Sequence, residues 1–340
     1  MKKELFGRMP DGSEVYAYTL KNGKMEARIL NLGGILSRLL VDGQNVILGF
    51  DTLEGVLSDT SYQGSMIGRY GNRIKDARFT IGGKEYKLFP NYRNLHALHG
   101  GKYGFNRKLW RAEPFGESEL ALFYRSPDGE EGYPGNLDVR VTYKLLSDAL
   151  ELHYEAIGDK DTFVNLTNHV YFNLDGASTE GDILDHTLQI HADTYTVVNE
   201  TMIPIGREKV ENTRFDFRTA KKIGRDLKGT SLEDPDFTYD SNYNLDGRIR
   251  ETVDGRELAL AATLSNGRIK MDVLTELPGL QCYTSGLLAN TDNPLSGGVI
   301  QHRRMAIALE TQAEPDAPTR GENLLKAGTK YDTVTVYRFS

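Results

Sequence analysis

Apolar and polar residues alternate with a period of two over much of this chain of 340 residues. In Asp138–Leu145 every second side chain is apolar, and after Ser147–Asp148 the alternation resumes in Leu150–Ala156. Alternation of this kind is typical of a β-strand with one buried face, because successive side chains point to opposite sides of the sheet. The two runs therefore predict an antiparallel hairpin.

A second predicted hairpin is marked by its turn. The alternating residues of Leu258–Leu264 lead into Asn266–Gly267 and continue in Ile269–Val273. Asn-Gly is the favoured two-residue hairpin turn, because both residues tolerate positive φ. We therefore expect a tight turn at this dipeptide.

Helical patterns are sparse. Thr219–Leu227 predicts one short helix, and Asp332–Phe339 predicts a last strand. Many strands joined by turns, with few short helices between them, indicate packed antiparallel sheets. We expect an all-β fold in which residues 1–340 form one large antiparallel β-sandwich domain.

Composition and charge exclude several kinds of partner. The chain has 41 basic and 48 acidic residues, a net charge of −7, so nothing indicates a nucleic-acid surface. No segment approaches the roughly 20 apolar residues that span a bilayer, and Met1–Pro10 lacks the apolar core of a secretory signal. The single cysteine, Cys282, cannot form an internal disulfide. We expect a cytoplasmic protein with no membrane or nucleic-acid partner.

The first segment with chemical potential is Gly64–Ile74. Its glycines allow close approach of the backbone, and Asn72 and Arg73 offer several hydrogen-bond donors. The segment matches neither of the glycine-rich phosphate-binding patterns. It is either a ligand-binding segment or a strand with a glycine kink and a structural arginine.

Two histidines stand three residues apart in Asn94–Gly101. This spacing suggests a metal site, but no HExxH pattern accompanies it and the flanking glycines would break an aligning helix. We therefore predict no metal here. His99, before two glycines, is interpreted as a hydrogen-bond donor to a polar ligand, and His96 as a packed or surface histidine.

His169 lies among asparagines and aromatic residues in Val164–Leu174. Because the reference pKa of histidine is close to neutral, His169 could exchange protons at physiological pH. The alternative is a core histidine with satisfied hydrogen bonds.

Met305–Asp316 contains a carboxylate on a predicted strand. Ala306, Ala308 and Glu310 share one face of that strand. Two small residues followed by one carboxylate suggest that the alanines form the floor of a ligand-binding site, with Glu310 at the rim of that site.

Two weaker candidates follow. Asp240 could be a surface carboxylate. In Pro278–Tyr283, Gln281 and Tyr283 share one strand face, whereas Cys282 lies on the other and is interpreted as core filler.

Together these segments resemble the aldose 1-epimerase (galactose mutarotase) family, and the match is ordered through most of the chain. The motifs that carry it are Gly68–Ile74, Leu98–Gly101, Gly132–Asn136, Asn165–Leu174, Phe215–Phe217, Pro278–Gln281 and Ala308–Gln312. The resemblance implies a β-supersandwich that interconverts the α and β anomers of free hexoses, such as galactose and glucose, without a cofactor. The partner that it implies is a small monosaccharide.

The resemblance also implies roles for individual residues. Glu310 stands at the position of the family's general base and His169 at that of its general acid. Substrate-binding positions fall on Asn72, Arg73, His99, Tyr171, Asp240 and Gln281. The family often has Asp-His-x-Phe where this chain has Asp240-Ser-Asn-Tyr243, so the aspartate is kept while Ser241 replaces its usual histidine neighbour.

Other functions remain open at this level. A hexose-phosphate 1-epimerase would need clustered cations for the phosphate, and a glycoside hydrolase would need two carboxylates. A non-catalytic sugar-binding protein would have no need of both His169 and Glu310. The sequence is compatible with a monomer or a homodimer.

Overall fold

The alternating segments form strands in the computed structural model, which describes the chain except residues 179, 232, 235, 290 and 291. In chain order the strands of the described residues are β1 (Lys2–Arg8), β2 (Glu14–Asn22), β3 (Met25–Leu30), β4 (Leu36–Val41), β5 (Gln44–Asn45), β6 (Met66–Ile67), β7 (Arg73–Ile74), β8 (Arg78–Ile81), β9 (Lys84–Lys87), β10 (Ala97–Leu98), β11 (Arg111–Phe115), β12 (Glu119–Ser126), β13 (Leu137–Leu145), β14 (Ala149–Gly158), β15 (Thr162–Phe163), β16 (Thr167–Asn168), β17 (Tyr171–Phe172), β18 (Thr187–Ile190), β19 (Thr194–Val198), β20 (Pro204–Lys209), β21 (Lys221–Lys222), β22 (Asp240–Asn244), β23 (Arg250–Val253), β24 (Arg256–Ser265), β25 (Lys270–Thr275), β26 (Gly279–Tyr283), β27 (Ile307–Gln312), β28 (Leu324–Leu325) and β29 (Lys330–Phe339).

Three antiparallel sheets dominate the fold. The first has five strands in the order β1-β2-β3-β4-β5. The second has ten, in the order β11-β12-β13-β14-β29-β25-β24-β18-β21, with β23 also paired to β24. The third has six, in the order β17-β27-β26-β22-β19-β20. The predicted all-β fold of antiparallel sheets is confirmed.

Both predicted hairpins form, but the turn of the second differs from the prediction. β13 pairs with β14, and the apolar face of each strand is buried. Between β24 and β25 the last paired residues are Ser265 and Lys270, so the loop is longer than two residues. Within it only Gly267 has positive φ, at 86°. The side-chain oxygen of Asn266 instead accepts hydrogen bonds from the backbone N–H groups of Arg268 and Ile269, which stabilises the wider turn.

The prediction of one short helix over Thr219–Leu227 is confirmed only in part. Lys221–Lys222 forms β21 at the edge of the ten-stranded sheet, and Ile223–Asp226 is one 3₁₀ turn. Lys221 is buried, and its ammonium group donates to the carbonyl of Arg214 and to the carboxylate of Asp226. These tertiary contacts outweigh the local helical preference.

Few short helices are present, as expected. α1 (Leu53–Ser58) begins after Thr52, whose hydroxyl accepts a hydrogen bond from Gly55 N–H at 3.1 Å. The remaining helical segments are 3₁₀ turns at Lys75–Ala77, Phe105–Arg107, Glu130–Gly132, Ile223–Asp226, Ser296–Gly298 and Ala317–Arg320. Among the described residues, no helix is long and apolar enough to cross a membrane.

The core lies between the sheets. Its largest apolar cluster combines Leu20 of the five-stranded sheet, Val141 of the ten-stranded sheet and Leu309 of the six-stranded sheet. Because side chains alternate along β27, Ile307 and Leu309 face this core while Glu310 faces the other side. The six-stranded sheet therefore keeps one face for packing and presents polar groups on the other.

Candidate active site

A cavity of about 230 Å³ lies on the polar face of the six-stranded sheet. All eight residues predicted from the sequence line it, namely Asn72, Arg73, His99, His169, Tyr171, Asp240, Gln281 and Glu310. A larger cavity of about 590 Å³ lies elsewhere, around Arg214 and Asp216, and none of the eight lines it. The predicted residues therefore meet in one place.

The sheet places its contributions in register. Glu310 of β27 stands opposite Gln281 of β26, which in turn stands opposite Asn242 of β22. Two residues along each strand, and therefore on the same face, Tyr283 stands opposite Asp240. Because paired residues share a face, these side chains form two adjacent rows beneath the cavity.

The expected floor of small residues is absent from the cavity. Ala306 and Ala308 are fully buried and pack in an apolar cluster with Tyr171 and neighbouring side chains. Glu310 lies deep in the cavity, with only 2% of its surface exposed, rather than at its rim. The sequence interpretation of this strand was right about the face that carries Glu310 and wrong about the alanines.

His169 reaches Glu310 from the segment between β16 and β17. Its Nε2 lies 3.6 Å from Glu310 Oε1, and its ring stacks on Tyr171 at 4.8 Å between centroids. Within the described residues, His169 Nδ1 and Glu310 Oε2 are buried without a hydrogen-bond partner. Because buried polar atoms are normally satisfied, both atoms are suited to contact a polar ligand.

His99 is held by the backbone of the neighbouring motif. The backbone N–H of Asn72 donates to His99 Nδ1 at 3.2 Å, so a neutral His99 carries its proton on Nε2 and can donate from there. The following Gly100 has a φ of 88°, and a Cβ on it would lie 1.8 Å from the carbonyl oxygen of Gly68. Only glycine fits at this close approach.

Arg73 lies over an aromatic ring that the sequence analysis did not assign to the site. Its guanidinium is 4.5 Å from the centre of Tyr92, and its Nη2 is 3.8 Å from Asp240 Oδ2. The other oxygen of Asp240 accepts a hydrogen bond from Gln281. Ser241 belongs to the opposite face of β22, opposite Cys282, so its difference from the family pattern lies away from the cavity.

Two further aromatic residues, Tyr62 and Tyr283, line the cavity without a sequence signal strong enough to assign them, and both lie close to the predicted Tyr171 or His99. Tyr62, at a φ of 60°, lies 4.8 Å from the His99 ring. The hydroxyl of Tyr171 donates to Ser61 O at 3.0 Å, and that of Tyr283 accepts from Leu287 N–H at 2.8 Å. Positive φ at a tyrosine is set by the tertiary fold and leaves no local pattern.

Burial controls the protonation of the reactive pair. It raises the pKa of Glu310 to about 8, with the charge of Asp240 acting in the same direction and Arg73 opposing. Burial lowers the pKa of His169 to about 4 and holds that of His99 well below its usual value. The neighbouring carboxyl group does not keep His169 charged, because the cost of desolvating the imidazolium dominates.

Three side chains in the cavity could also hold a metal ion. Ligand atoms of His99, His169 and Glu310 all lie within 4.8 Å of one another. The pair His96 and His99 is not such a site, because His96 packs outside the cavity, where its Nδ1 accepts from Asp76 N–H at 2.9 Å. The contact between His169 and Glu310 is equally suited to proton transfer.

This site and fold define a class: a β-sandwich protein whose deep polar pocket joins one carboxyl group to one imidazole. The family model described as aldose 1-epimerase matches residues 16–338. The chain belongs to the aldose 1-epimerase family. It is therefore an isomerase that acts on carbohydrates.

Relatives match over nearly their whole length. A galactose mutarotase of Mus musculus is 38% identical over 99% of this chain and 98% of its own. An aldose 1-epimerase of Haemophilus influenzae is 35% identical over 97% of each chain. The crystal structure of a galactose 1-epimerase from Lactobacillus acidophilus has a TM-score of 0.85, with 28% identity over 100% of this chain and 98% of its own.

Proposed function

We propose that this protein interconverts the α and β anomers of free hexoses such as galactose and glucose, with Glu310 and His169 as its proton-transfer pair. The observation that carries the proposal is the 3.6 Å approach of His169 Nε2 to Glu310 Oε1 within a cavity of about 230 Å³. A cavity of this size is below the roughly 300–1,000 Å³ of typical drug-sized sites and suits one sugar ring.

The chemistry needs one base and one acid. Glu310 takes the proton of the C1 hydroxyl while His169 gives a proton to the ring oxygen, so the C1–ring oxygen bond breaks and an open-chain aldehyde forms. Rotation about C1–C2 and reclosure, with the two groups exchanging roles, yield the other anomer. No electrons are transferred to or from the sugar, so the reaction as proposed requires neither a redox cofactor nor a metal.

The pair must carry one proton in total. Between the two pKa values that proton resides mainly on Glu310. Transfer to His169 produces the reactive tautomer, with the carboxylate as base and the imidazolium as acid. The tautomers have the same net charge, so one protonation state of the pair supports the reaction.

The remaining residues of the cavity hold the sugar in this proposal. Arg73 and the Nε2–H of His99 stabilise the charge that develops on oxygen as the ring opens. Asp240 and Gln281 bind hydroxyl groups away from C1, with Asn72 beside them. Tyr171 supports the His169 ring.

The charges around the cavity favour a neutral hexose over a hexose phosphate. Arg73 is the sole lysine or arginine among the described residues that line the cavity, and Asp240 adds a negative charge. Arg69, the other arginine of the motif, is buried and donates to the carbonyl oxygens of Ser126, Pro134 and Gly135. It therefore has a structural role, and a phosphate dianion would lack the cluster of cations it needs.

Polarimetry of freshly dissolved α-D-galactose and α-D-glucose tests the function. The protein should accelerate the approach to anomeric equilibrium, act more slowly on α-D-glucose 6-phosphate, and keep its rate after dialysis against EDTA. Heat-denatured protein is the control. Binding of galactose with no acceleration over buffer would mean a sugar-binding protein and would refute the proposal, and loss of the rate with EDTA would implicate the metal-competent cluster.

The pH dependence provides a second prediction. kcat/KM should be level between about pH 4 and about pH 8 and should fall outside that window. Above it Glu310 loses the shared proton, and below it His169 gains a second one, so each limb should change about tenfold per pH unit. Polarimetric rates extrapolated to zero buffer concentration measure this, and a steady rise from pH 5 to pH 7 would contradict it.

Three properties stay predictions: a cytoplasmic location, one domain over residues 1–340, and a monomeric or homodimeric state. Cys282 is a buried free thiol, which is consistent with the predicted cytoplasmic location, where thiols stay reduced.

A further inference from the structure

A line of hydrogen-bonded side chains leads from the cavity to the protein surface. We name it the polar relay, and it consists of Gln281, Gln312, Asn242, Thr196 and Glu314. Its four inner members are at most 4% exposed. Water therefore does not compete for these bonds, and each side chain must satisfy its polar atoms within the relay or its immediate neighbours.

The inner half of the polar relay surrounds one amide. Gln281 donates from Nε2 to Asp240 Oδ1. Its Oε1 accepts from Asn72 Nδ2 at 3.2 Å and from Gln312 Nε2 at 3.5 Å. Gln312 Nε2 also donates to Asn242 Oδ1 at 3.1 Å. Both donors around Gln281 Oε1 thus oppose rotation of this amide by half a turn.

The outer half ends on a carboxylate. Asn242 Nδ2 donates to Thr196 Oγ1 at 3.1 Å, and the Thr196 hydroxyl donates to Glu314 Oε1 at 3.1 Å. Burial opposes the ionisation of Glu314, but bonds from Arg207 and Thr196 outweigh it and lower its pKa. At the surface Arg207 donates to both oxygens of this carboxylate, from Nε to Oε1 at 2.9 Å and from Nη2 to Oε2 at 2.7 Å, and Arg320 donates to Oε2 at 2.9 Å.

Donor and acceptor rules give the polar relay one direction. An ionised carboxylate can only accept, so in its contact with Glu314 the Thr196 hydroxyl is the donor, and it accepts from Asn242. Asn244 Oδ1 is a second acceptor for this hydroxyl but lies farther away, at 3.5 Å against 3.1 Å for Glu314. Asn242 then turns its amide NH₂ toward Thr196 and its oxygen toward Gln312. Gln312 in turn directs its own NH₂ toward Asn242 and Gln281.

The direction matters at the cavity because Asp240 is also an acceptor when ionised. Gln281 must present its NH₂ to that carboxylate, since the opposite orientation would place two oxygens against each other. Gly279 leaves room for this arrangement, because a Cβ there would lie 2.9 Å from Asn242 Oδ1.

We propose that Glu314, acting through Thr196, Asn242 and Gln312, is a positioning residue that orients Gln281 and Asp240 for the sugar. The inference rests on the proposed function, because it concerns how that site holds its substrate. Glu314 touches no reacting atom and lies at the outer end of the polar relay. Its effect should therefore appear in substrate binding and not in the chemical step.

Thr196→Val tests the inference, because it removes the hydroxyl and keeps the shape of the side chain. KM for α-D-galactose should rise about three- to tenfold, the effect of one or two lost hydrogen bonds, with kcat within about twofold of wild type. Thr196→Ser keeps the hydroxyl and should restore KM. A merely structural role would lower the melting temperature of both variants and would not raise KM while leaving kcat unchanged.

A second pair of variants keeps the test decisive if Thr196→Val does not fold. Glu314→Met removes the acceptor and its ion pairs and should raise KM, whereas Arg207→Met removes an ion pair but keeps the acceptor and should not. Equal KM values for these two variants, or for Thr196→Val and Thr196→Ser, would overturn the inference. Failure of wild-type protein to catalyse mutarotation at all would instead refute the proposed function.

Discussion

Glu310→Gln should lower kcat for mutarotation by about 10²–10⁴-fold, the contribution of one positioned acid–base group. The amide has the shape of the carboxyl group but cannot take the proton of the C1 hydroxyl. Glu310 lies at the centre of the cavity row, between His169 and Gln281, so sugar binding should survive. Polarimetry measures the rate, and galactose titration followed by tyrosine fluorescence measures binding.

Glu151→Gln is the matched control for this substitution. Glu151 is another largely buried carboxyl group, and burial likewise raises its pKa. It lies on β14 in the ten-stranded sheet and does not line the cavity. Glu151→Gln should keep wild-type kcat. If Glu310→Gln kept more than about a tenth of wild-type activity, the general base would have to be another residue.

Glu310→Gln should also stabilise the fold at alkaline pH. Because the pKa of native Glu310 is raised to about 8 from 4.5, the native state binds more protons than the unfolded chain between these values. The free energy of unfolding therefore falls as pH rises through this window, and the loss is complete above it. Urea denaturation should show Glu310→Gln to be more stable than wild type at pH 8.5 and close to it at pH 4.

The backbone architecture followed from local pattern, because one buried face imposes alternation on each strand. The apolar positions of Asp138–Leu145 and Leu150–Ala156 indicated β13 and β14 without any knowledge of their partners. Local pattern failed where other contacts determine the backbone conformation. The buried ammonium group of Lys221 is an example, because its hydrogen bonds hold the start of a predicted helix in an extended form.

The residues of the site could be predicted in part, for a different reason. Glu310 and His169 are far apart in sequence, and their approach depends on the pairing of β17 with β27, which no local pattern specifies. The motifs indicated the residue types through resemblance, but not their depth. Depth determines charge, because burial raises the pKa of Glu310 and lowers that of His169. Thr196 and Tyr62 were missed because neither belongs to a motif.

His169→Asn is the second change that should remove most of the activity. Asparagine has no group that titrates near neutral pH, so it cannot give a proton to the ring oxygen. kcat and kcat/KM should both fall by about 10²–10⁴-fold, because the lost interaction exists mainly in the transition state. Polarimetry over a range of galactose concentrations separates the two constants.

The pH profile of the residual activity distinguishes a lost acid from a damaged pocket. The fall in rate below about pH 4 comes from protonation of His169 in our scheme, so His169→Asn should lose that limb. With no proton to share, Glu310 acts as base only when ionised, so the residual rate should rise with pH toward about 8 and no longer fall above it. His186→Asn is the matched control, since His186 is a buried histidine outside the cavity whose Nε2 accepts from Leu174 N–H at 3.1 Å. It should lower the melting temperature and keep kcat. If His169→Asn retained both near-normal kcat and the acidic limb, the proton donor would have to be another group, and His99, whose ring lies 5.5 Å from that of His169, would be the first to test.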